Sequence, residues 1–238
     1  MADFEKSRQQ VQARIDAALQ AAGRAPGECT LLAVSKTFPA ETVRAAYAAG
    51  QRAFGENYVQ ELVDKTEALA DLADLEWHFI GPLQSNKSRP VAERAHWVHS
   101  VDRLRIAERL SAQRPVAMPP LNVCIQVNVS GEASKSGCDP AEALPLALAV
   151  AKLPGLRLRG LMCIPAADAA EPVLRQQFGL LRQLRHEITQ AGLVPDTLSM
   201  GMSADLAQAI AEGSTLVRVG TALFGARQTP LAPLENQA

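Results

Sequence analysis

Short apolar or β-branched runs, most of them ending in a polar residue, alternate along this chain with stretches whose apolar positions recur at the helical period. Runs of that length bounded by turn signals predict buried strands, and a 3.6-residue spacing predicts amphipathic helices. The predicted strands are Leu31–Lys36, Arg52–Gly55, Trp77–Gly81, Trp97–Ser100, Leu121–Val129, Leu158–Ile164, Thr197–Met200 and Leu216–Val219. Between them lie predicted helices at Glu41–Ala49, Asn57–Asp71, Ser85–Arg94, Arg103–Gln113, Pro140–Leu153, Val173–Ala191 and Ala204–Ala211. One more helix, with Val11, Ile15, Ala18, Leu19 and Ala22 on a single face, comes before the first strand.

Helix boundaries carry their own chemistry. Asp139-Pro140-Ala141-Glu142 offers an N-cap, a proline at the first helical position and a capping-box glutamate. Asp102 and Ser203 are expected to cap the helices that follow them. Gly23, Gly50, Gly192 and Gly213 stand where helices should stop. Eight strand–helix units within 238 residues fit a closed (β/α)₈ TIM-type barrel with an extra N-terminal helix, a fold of roughly 250 residues. An open doubly wound sheet would carry a glycine-rich fingerprint after its first strand, where this chain has Lys36-Thr37-Phe38-Pro39. The expectation is one barrel domain over residues 1–238, with a loose tail at 226–238. In such barrels the chemistry lies at the C-terminal ends of the strands.

Composition narrows the function classes. At 47% hydrophobic residues and a formal net charge of -1, the chain has enough apolar content for a sizeable core and no basic surplus to hold a nucleic acid. The four cysteines, Cys29, Cys124, Cys138 and Cys163, show no metal-ligand spacing, and Cys124 and Cys163 fall inside apolar runs as small core residues. No apolar run is long enough to span a bilayer and the N-terminus is not a signal peptide, so a cytoplasmic location is expected.

Lys36 ends the first strand run, an unusual place to leave a charge. A lysine held at the edge of a core is partly desolvated, its pKa falls, and the neutral amine attacks aldehydes to form a Schiff base. Alternatively, Lys36 snorkels at a strand end. A phosphate-binding element on the same barrel face would make pyridoxal phosphate the expected partner. Ser199-Met200-Gly201-Met202-Ser203-Ala204-Asp205 ends the seventh strand and opens a helix, with Gly201 allowing close approach and Ser203 offering a hydroxyl beside unpaired N–H groups. Arg218-Val219-Gly220-Thr221 ends the eighth in the same style. Barrels often bind phosphate with these two loops; ordinary capping and a tight turn are the alternative.

Arg218 either faces a ligand acceptor such as a pyridine nitrogen or forms a buried ion pair with an internal carboxylate such as Glu56. Asn57 either donates to a cofactor oxygen or caps the next helix. His78 lies within a strand as a core histidine, while His96, His99 and His186 lack metal spacing. Gln84-Ser85-Asn86-Lys87 is a polar loop placed to line the barrel mouth, and Gly131–Gly137 reads as a mobile loop carrying a second amine, Lys135.

Six segments together resemble one known family: Ala33-Val34-Ser35-Lys36, Phe54-Gly55-Glu56-Asn57-Tyr58, His78-Phe79-Ile80-Gly81, Gln84-Ser85-Asn86-Lys87, Ser199-Met200-Gly201-Met202-Ser203 and Val217-Arg218-Val219-Gly220-Thr221. In that order they are similar to the YggS/PROSC family of pyridoxal-phosphate homeostasis proteins, from the first strand to Gly225. The resemblance implies a barrel related to the N-terminal domain of alanine racemase, with pyridoxal 5'-phosphate on Lys36 and Arg218 near the pyridine nitrogen. It places Ser203, Gly220 and Thr221 at the phosphate, and Asn57 beside the cofactor. It implies a protein that buffers the cofactor and delivers it to apo-enzymes, without turnover.

The competing expectation is an amino-acid racemase, which needs a second base on the opposite face of the substrate. In the fold relatives that base is a tyrosine from another domain of a partner subunit. The chain ends thirteen residues after Gly225, and its tyrosines are Tyr47 and Tyr58, of which Tyr58, just past the second strand, is the one candidate. A cofactor-free Schiff-base aldolase using Lys36 with Glu56 or His78 would leave Arg218 without a purpose. The expected protein is thus a monomeric carrier, with Lys135 as a transient second acceptor.

Overall fold

A computed structural model of the protein describes residues 2–225; the tail expected at 226–238 lies outside the described residues. Helix α1 (Ala2–Ala21) leads into β1 (Thr30–Val34), α2 (Ala40–Ala48), β2 (Ala53–Glu56), α3 (Val59–Ala68), β3 (Glu76–Phe79), α4 (Ser88–Arg94), β4 (Trp97–Val101) and α5 (Leu104–Gln113). The second half runs β5 (Leu121–Gln126), α6 (Ala143–Val150), β6 (Leu156–Met162), α7 (Glu171–Gln190), β7 (Thr197–Ser199), α8 (Leu206–Ala211), β8 (Leu216–Val219) and α9 (Thr221–Phe224). Each strand pairs in parallel with the next, and β8 returns to pair with β1, closing the barrel. Parallel neighbours require a crossover, and the helical patterns between strands provide one. The (β/α)₈ expectation holds.

Burial is organised in two shells. The larger lies between strands and helices, where Phe54, Phe79, Ile106, Leu110, Leu161 and Phe178 are fully buried. A smaller one, Trp97, Cys124 and Met162, fills the barrel interior, where His78 stacks on Trp97 at 5.4 Å between centroids. The helix preceding the barrel buries Val11, Ile15, Ala18 and Leu19, the face its spacing predicts. Arg24 just beyond it donates to the carbonyls of Ile210 and Ser214 at 2.9 and 2.8 Å, fastening it beside α8. The capping box at Asp139–Glu142 is present.

Several boundaries differ from the sequence pattern for local reasons. Strand β1 stops at Val34, because Thr37 takes φ 68° and Phe38 N–H turns back to the Ser35 carbonyl at 3.1 Å. Strand β5 stops at Gln126; Val127 still donates to the Met162 carbonyl at 2.9 Å and bridges to Cys138, while Val129 stays buried in the loop, where apolarity marks packing and not strand. Asp102 and Ser203 do not cap: the N-cap of α5 is Arg103 and that of α8 is Asp205, neither with a side-chain cap bond. Asp102 instead pairs with Arg103 at 2.7 Å.

Gly201 corrects an expectation. It adopts φ 96°, and a Cβ there would meet the Ala209 Cβ at 2.6 Å and Val217 Cγ1 at 3.3 Å. The glycine is needed for α8 to close onto the barrel, and it is not among the residues that line the cavity described below. Gly201→Ala combines left-handed backbone with overpacking and should destabilise by roughly 1–3 kcal/mol. Urea unfolding should show a lower midpoint at unchanged slope, and an unchanged midpoint would contradict this packing role.

Candidate functional site

A cavity of about 440 Å³ is lined by Lys36, Asn57, Ser203, Arg218, Gly220 and Thr221 together. All six come from four adjacent strands, β7, β8, β1 and β2, at or just beyond their C-terminal ends. Val34, Phe38, Ile80, Ile164 and Met202 form its apolar walls. Three cations, Lys36, Lys135 and Arg218, line it, and among the described residues no carboxylate does. Asn57 is free of the capping role, since α3 takes Tyr58 as its N-cap. Its backbone is fixed by the next strand: a Cβ on Gly81 would lie 2.0 Å from the Asn57 carbonyl oxygen, so only glycine fits there.

Arg218 is buried, and burial pushes its pKa down. Its Nη1 donates to the Ser199 carbonyl at 2.6 Å and Oγ at 2.8 Å, and its Nη2 donates to the Cys163 carbonyl at 2.8 Å. No carboxylate among the described residues forms an ion pair with it, and the alternative partner Glu56 is engaged by Lys65 at 2.8 Å. A guanidinium carries five N–H donors, so Nε–H and one Nη2–H are left for a ligand. Below Arg218 the polar chain continues through the barrel. Ser199 Oγ meets His99 Nδ1 at 2.8 Å, and His99 Nε2 meets His78 Nδ1 at 2.9 Å. Burial lowers both imidazole pKa values, leaving neutral rings under a single fixed cation. His78 is the expected core histidine, though its Nε2 has no hydrogen-bond partner.

Beside Lys36, on the α3 side of β2, sits a buried ion cluster. Lys65 Nζ donates to Glu56 Oε1 at 2.8 Å, Glu61 Oε2 at 3.0 Å and the Ser35 carbonyl at 2.9 Å. Ser35 Oγ donates to Glu56 Oε1 at 2.5 Å, and Glu61 Oε2 accepts the Thr37 N–H at 2.7 Å. Burial outweighs Lys65 and Ser35 and pushes Glu56 up to about 7. Burial also acts to raise Glu61, but the Thr37 N–H and Lys65 together hold it below its usual value.

The mouth is arranged differently from expectation. Lys135 pairs with Glu132 at 3.2 Å and donates to the Pro165 carbonyl, and its loop is tied to Gln126 and Asn128 through Ser136 and Cys138. Gln84–Lys87 does not line the cavity: Ser85–Lys87 form a 3₁₀ turn leading into α4. Tyr58 is 56% exposed and is not among the lining residues, while the Tyr47 hydroxyl donates to Asp74. Sequence reasoning missed Ser199 and His99, and it missed Glu61 and Lys65, whose i,i+4 spacing reads as an ordinary solvated helix pair. The one available signal was a lysine on the apolar side of an amphipathic helix.

Comparison with known proteins adds to this geometry. The sequence profile of the family described as alanine racemase, N-terminal domain, matches residues 7–228. A protein of Pseudomonas aeruginosa named pyridoxal phosphate homeostasis protein is 63% identical over 217 residues, covering 91% of this chain and 93% of that one. Its Escherichia coli counterpart of the same name is 57% identical over 234 residues, covering 95% and 98%. The solved structure of PipY from Synechococcus elongatus with PLP bound superposes with TM-score 0.78 at 41% identity, covering 90% of this chain and 100% of that one.

The raised Glu56 carboxyl has a testable sign. Its ordinary value is 4.5 and its folded value about 7, so between them the folded state holds a proton that the unfolded state has lost. Stability tied to this group is complete below the unfolded value and is lost as pH rises through the folded one. The unfolding free energy of wild type minus that of Glu56→Gln should therefore fall as pH rises from 4.5 to about 7 and then level off. A difference that stays flat across that window, having risen only at lower pH, would mean an ordinary ion-paired carboxylate.

Proposed function

The chain belongs to the YggS/PROSC family of pyridoxal phosphate homeostasis proteins, built on the alanine racemase N-terminal domain, and we propose that it holds pyridoxal 5'-phosphate in the cavity above β7, β8, β1 and β2 by reversible covalent attachment to Lys36. The observation that carries this reading is the donor set of one cavity. An amine, a guanidinium with two N–H groups to spare, two hydroxyls and an amide converge there, with three cations and no carboxylate among the described residues. Pyridoxal phosphate supplies a reactive aldehyde, a pyridine nitrogen and a phosphate dianion, and this set has a group for each.

Each residue has a distinct part. Lys36 would hold the cofactor at its aldehyde carbon, its amine nitrogen displacing the carbonyl oxygen as water. Arg218, clamped by Ser199 and Cys163, directs its remaining N–H toward the pyridine nitrogen and, as a fixed cation, disfavours a proton there. Ser203, Gly220 and Thr221 receive the phosphate through hydroxyl and backbone N–H donors, and Asn57 donates from the side wall. The apolar walls exclude water from the attachment point.

The protein acts in vitamin B6 homeostasis, buffering the cofactor and delivering it to apo-enzymes; catalysis is not its role. Supporting this, no Tyr, His, Cys, Asp or Glu among the described residues lines the cavity as a second base. Among the described residues no helix is long and apolar enough to cross a membrane. Four unpaired, buried cysteines suit the reducing cytoplasm, where we place the protein as a monomer.

Removing both hydroxyls, Ser203→Ala with Thr221→Val, should weaken pyridoxal phosphate far more than unphosphorylated pyridoxal. Hydrogen bonds to a charged group contribute about 1.5–3 kcal/mol each, so the ratio of affinities should drop on the order of a hundredfold. Equal losses for both ligands would mean these residues do not meet the phosphate. In deuterated water the loaded protein should show no enzyme-like α-proton exchange with a panel of amino acids. Robust exchange that vanishes in Tyr58→Phe would establish catalysis in place of carriage.

A further inference from the structure

Lys36 lies on a short turn, and both peptide groups that flank its Cα are held from the same helix. The carbonyl before it, on Ser35, accepts from Lys65 Nζ at 2.9 Å. The N–H after it, on Thr37, donates to Glu61 Oε2 at 2.7 Å. Lys65 and Glu61 are themselves paired at 3.0 Å, one turn apart on α3. The turn is strained as well: Thr37 is β-branched and sits at φ 68°, a conformation that costs about 1–3 kcal/mol and persists only where surroundings over-determine it.

Stability alone does not explain such a cluster. Lys65 and Glu56 are buried, desolvating them is expensive, and apolar replacements of similar shape are often at least as stable. Glu56 Oε2 has no hydrogen-bond partner, so the arrangement is not even fully satisfied. What the cluster does achieve is to hold the backbone around one residue, and that residue is the cavity lysine.

We propose that Glu61 and Lys65, seated by Glu56, are positioning residues for Lys36: they fix the turn so that its side chain enters the cavity pre-aimed at the aldehyde. This rests on the reading of the cavity given above. Pre-aiming favours the covalent step and leaves the phosphate and ring contacts alone, since those come from Ser203, Gly220, Thr221 and Arg218 on β7 and β8. The cluster therefore acts on one part of the ligand only.

Two ligands separate the parts. Pyridoxal phosphate binds through every contact, whereas pyridoxine 5'-phosphate carries an alcohol in place of the aldehyde and reports the cavity without the covalent step. Glu61 has a side chain 29% exposed, so Glu61→Ala should fold. It should lower the equilibrium capture of pyridoxal phosphate about tenfold, the scale of one lost hydrogen bond to a charged group. Affinity for pyridoxine 5'-phosphate should change less than about twofold. Glu61→Gln, which keeps an acceptor oxygen for Thr37, should recover most of the capture. Lys65→Met combined with Glu56→Gln, removing the buried charges at nearly constant shape, should show the same split. Wild-type capture in Glu61→Ala, or equal losses for both ligands, would overturn the positioning role while leaving the cofactor reading intact. A wild-type protein that binds both ligands alike with no lysine-linked absorbance would overturn the cofactor reading and the positioning role with it.

Discussion

The pairing of β8 with β1 is the contact on which the site depends. Thr30, Leu31, Leu32 and Ala33 lie opposite Leu216, Val217, Arg218 and Val219, and this ladder turns a sheet with two edges into a barrel. It sets Arg218 one strand from the turn bearing Lys36, although 182 residues separate them in sequence. Without closure the loops after β7 and β8 and those after β1 and β2 would stand at opposite edges. Closure also removes the exposed edges that parallel sheets otherwise have to cover.

Charge is sorted by which face of the barrel wall it occupies. Glu56 leaves β2 on the side of α3 and meets Lys65, so its carboxylate is withheld from the cavity. Within the barrel, Arg218 keeps its charge against carbonyls and a hydroxyl, and the two imidazoles beneath it stay neutral because burial disfavours their charged form. The cavity is left cationic, which attracts a dianion, and no carboxylate among the described residues lines it as a general base. A lysine proposed to capture and release an aldehyde is served by such surroundings. A racemase would need a proton acceptor on the wall as well.

Much of this was legible in the sequence. The alternation of periods gave the order of all the strands and main helices, and Lys36, Arg218, Ser203, Gly220 and Thr221 stood out as polar or small residues at strand ends. What escaped has a common cause. The Glu61 and Lys65 pair looks like surface charge until α3 is docked, and Ser199 looks like a strand residue until the barrel brings His99 within 2.8 Å of it. Gly201 misled because a glycine near a presumed ligand loop invites a ligand explanation, when the neighbouring Ala209 already requires it. Strand ends were misplaced where buried apolar residues, such as Val129, continue beyond the ladder. Periodicity reports burial; hydrogen bonding decides where a strand stops.

Everything proposed for the cavity turns on Lys36 as the residue that holds the cofactor. The most direct measurement is borohydride reduction of the protein loaded with pyridoxal phosphate, followed by peptide mapping of the modified lysine. A single pyridoxyl group is expected, on the peptide containing Lys36, and no such peptide from Lys36→Ala. Modification centred on Lys135 or spread over surface lysines would contradict it.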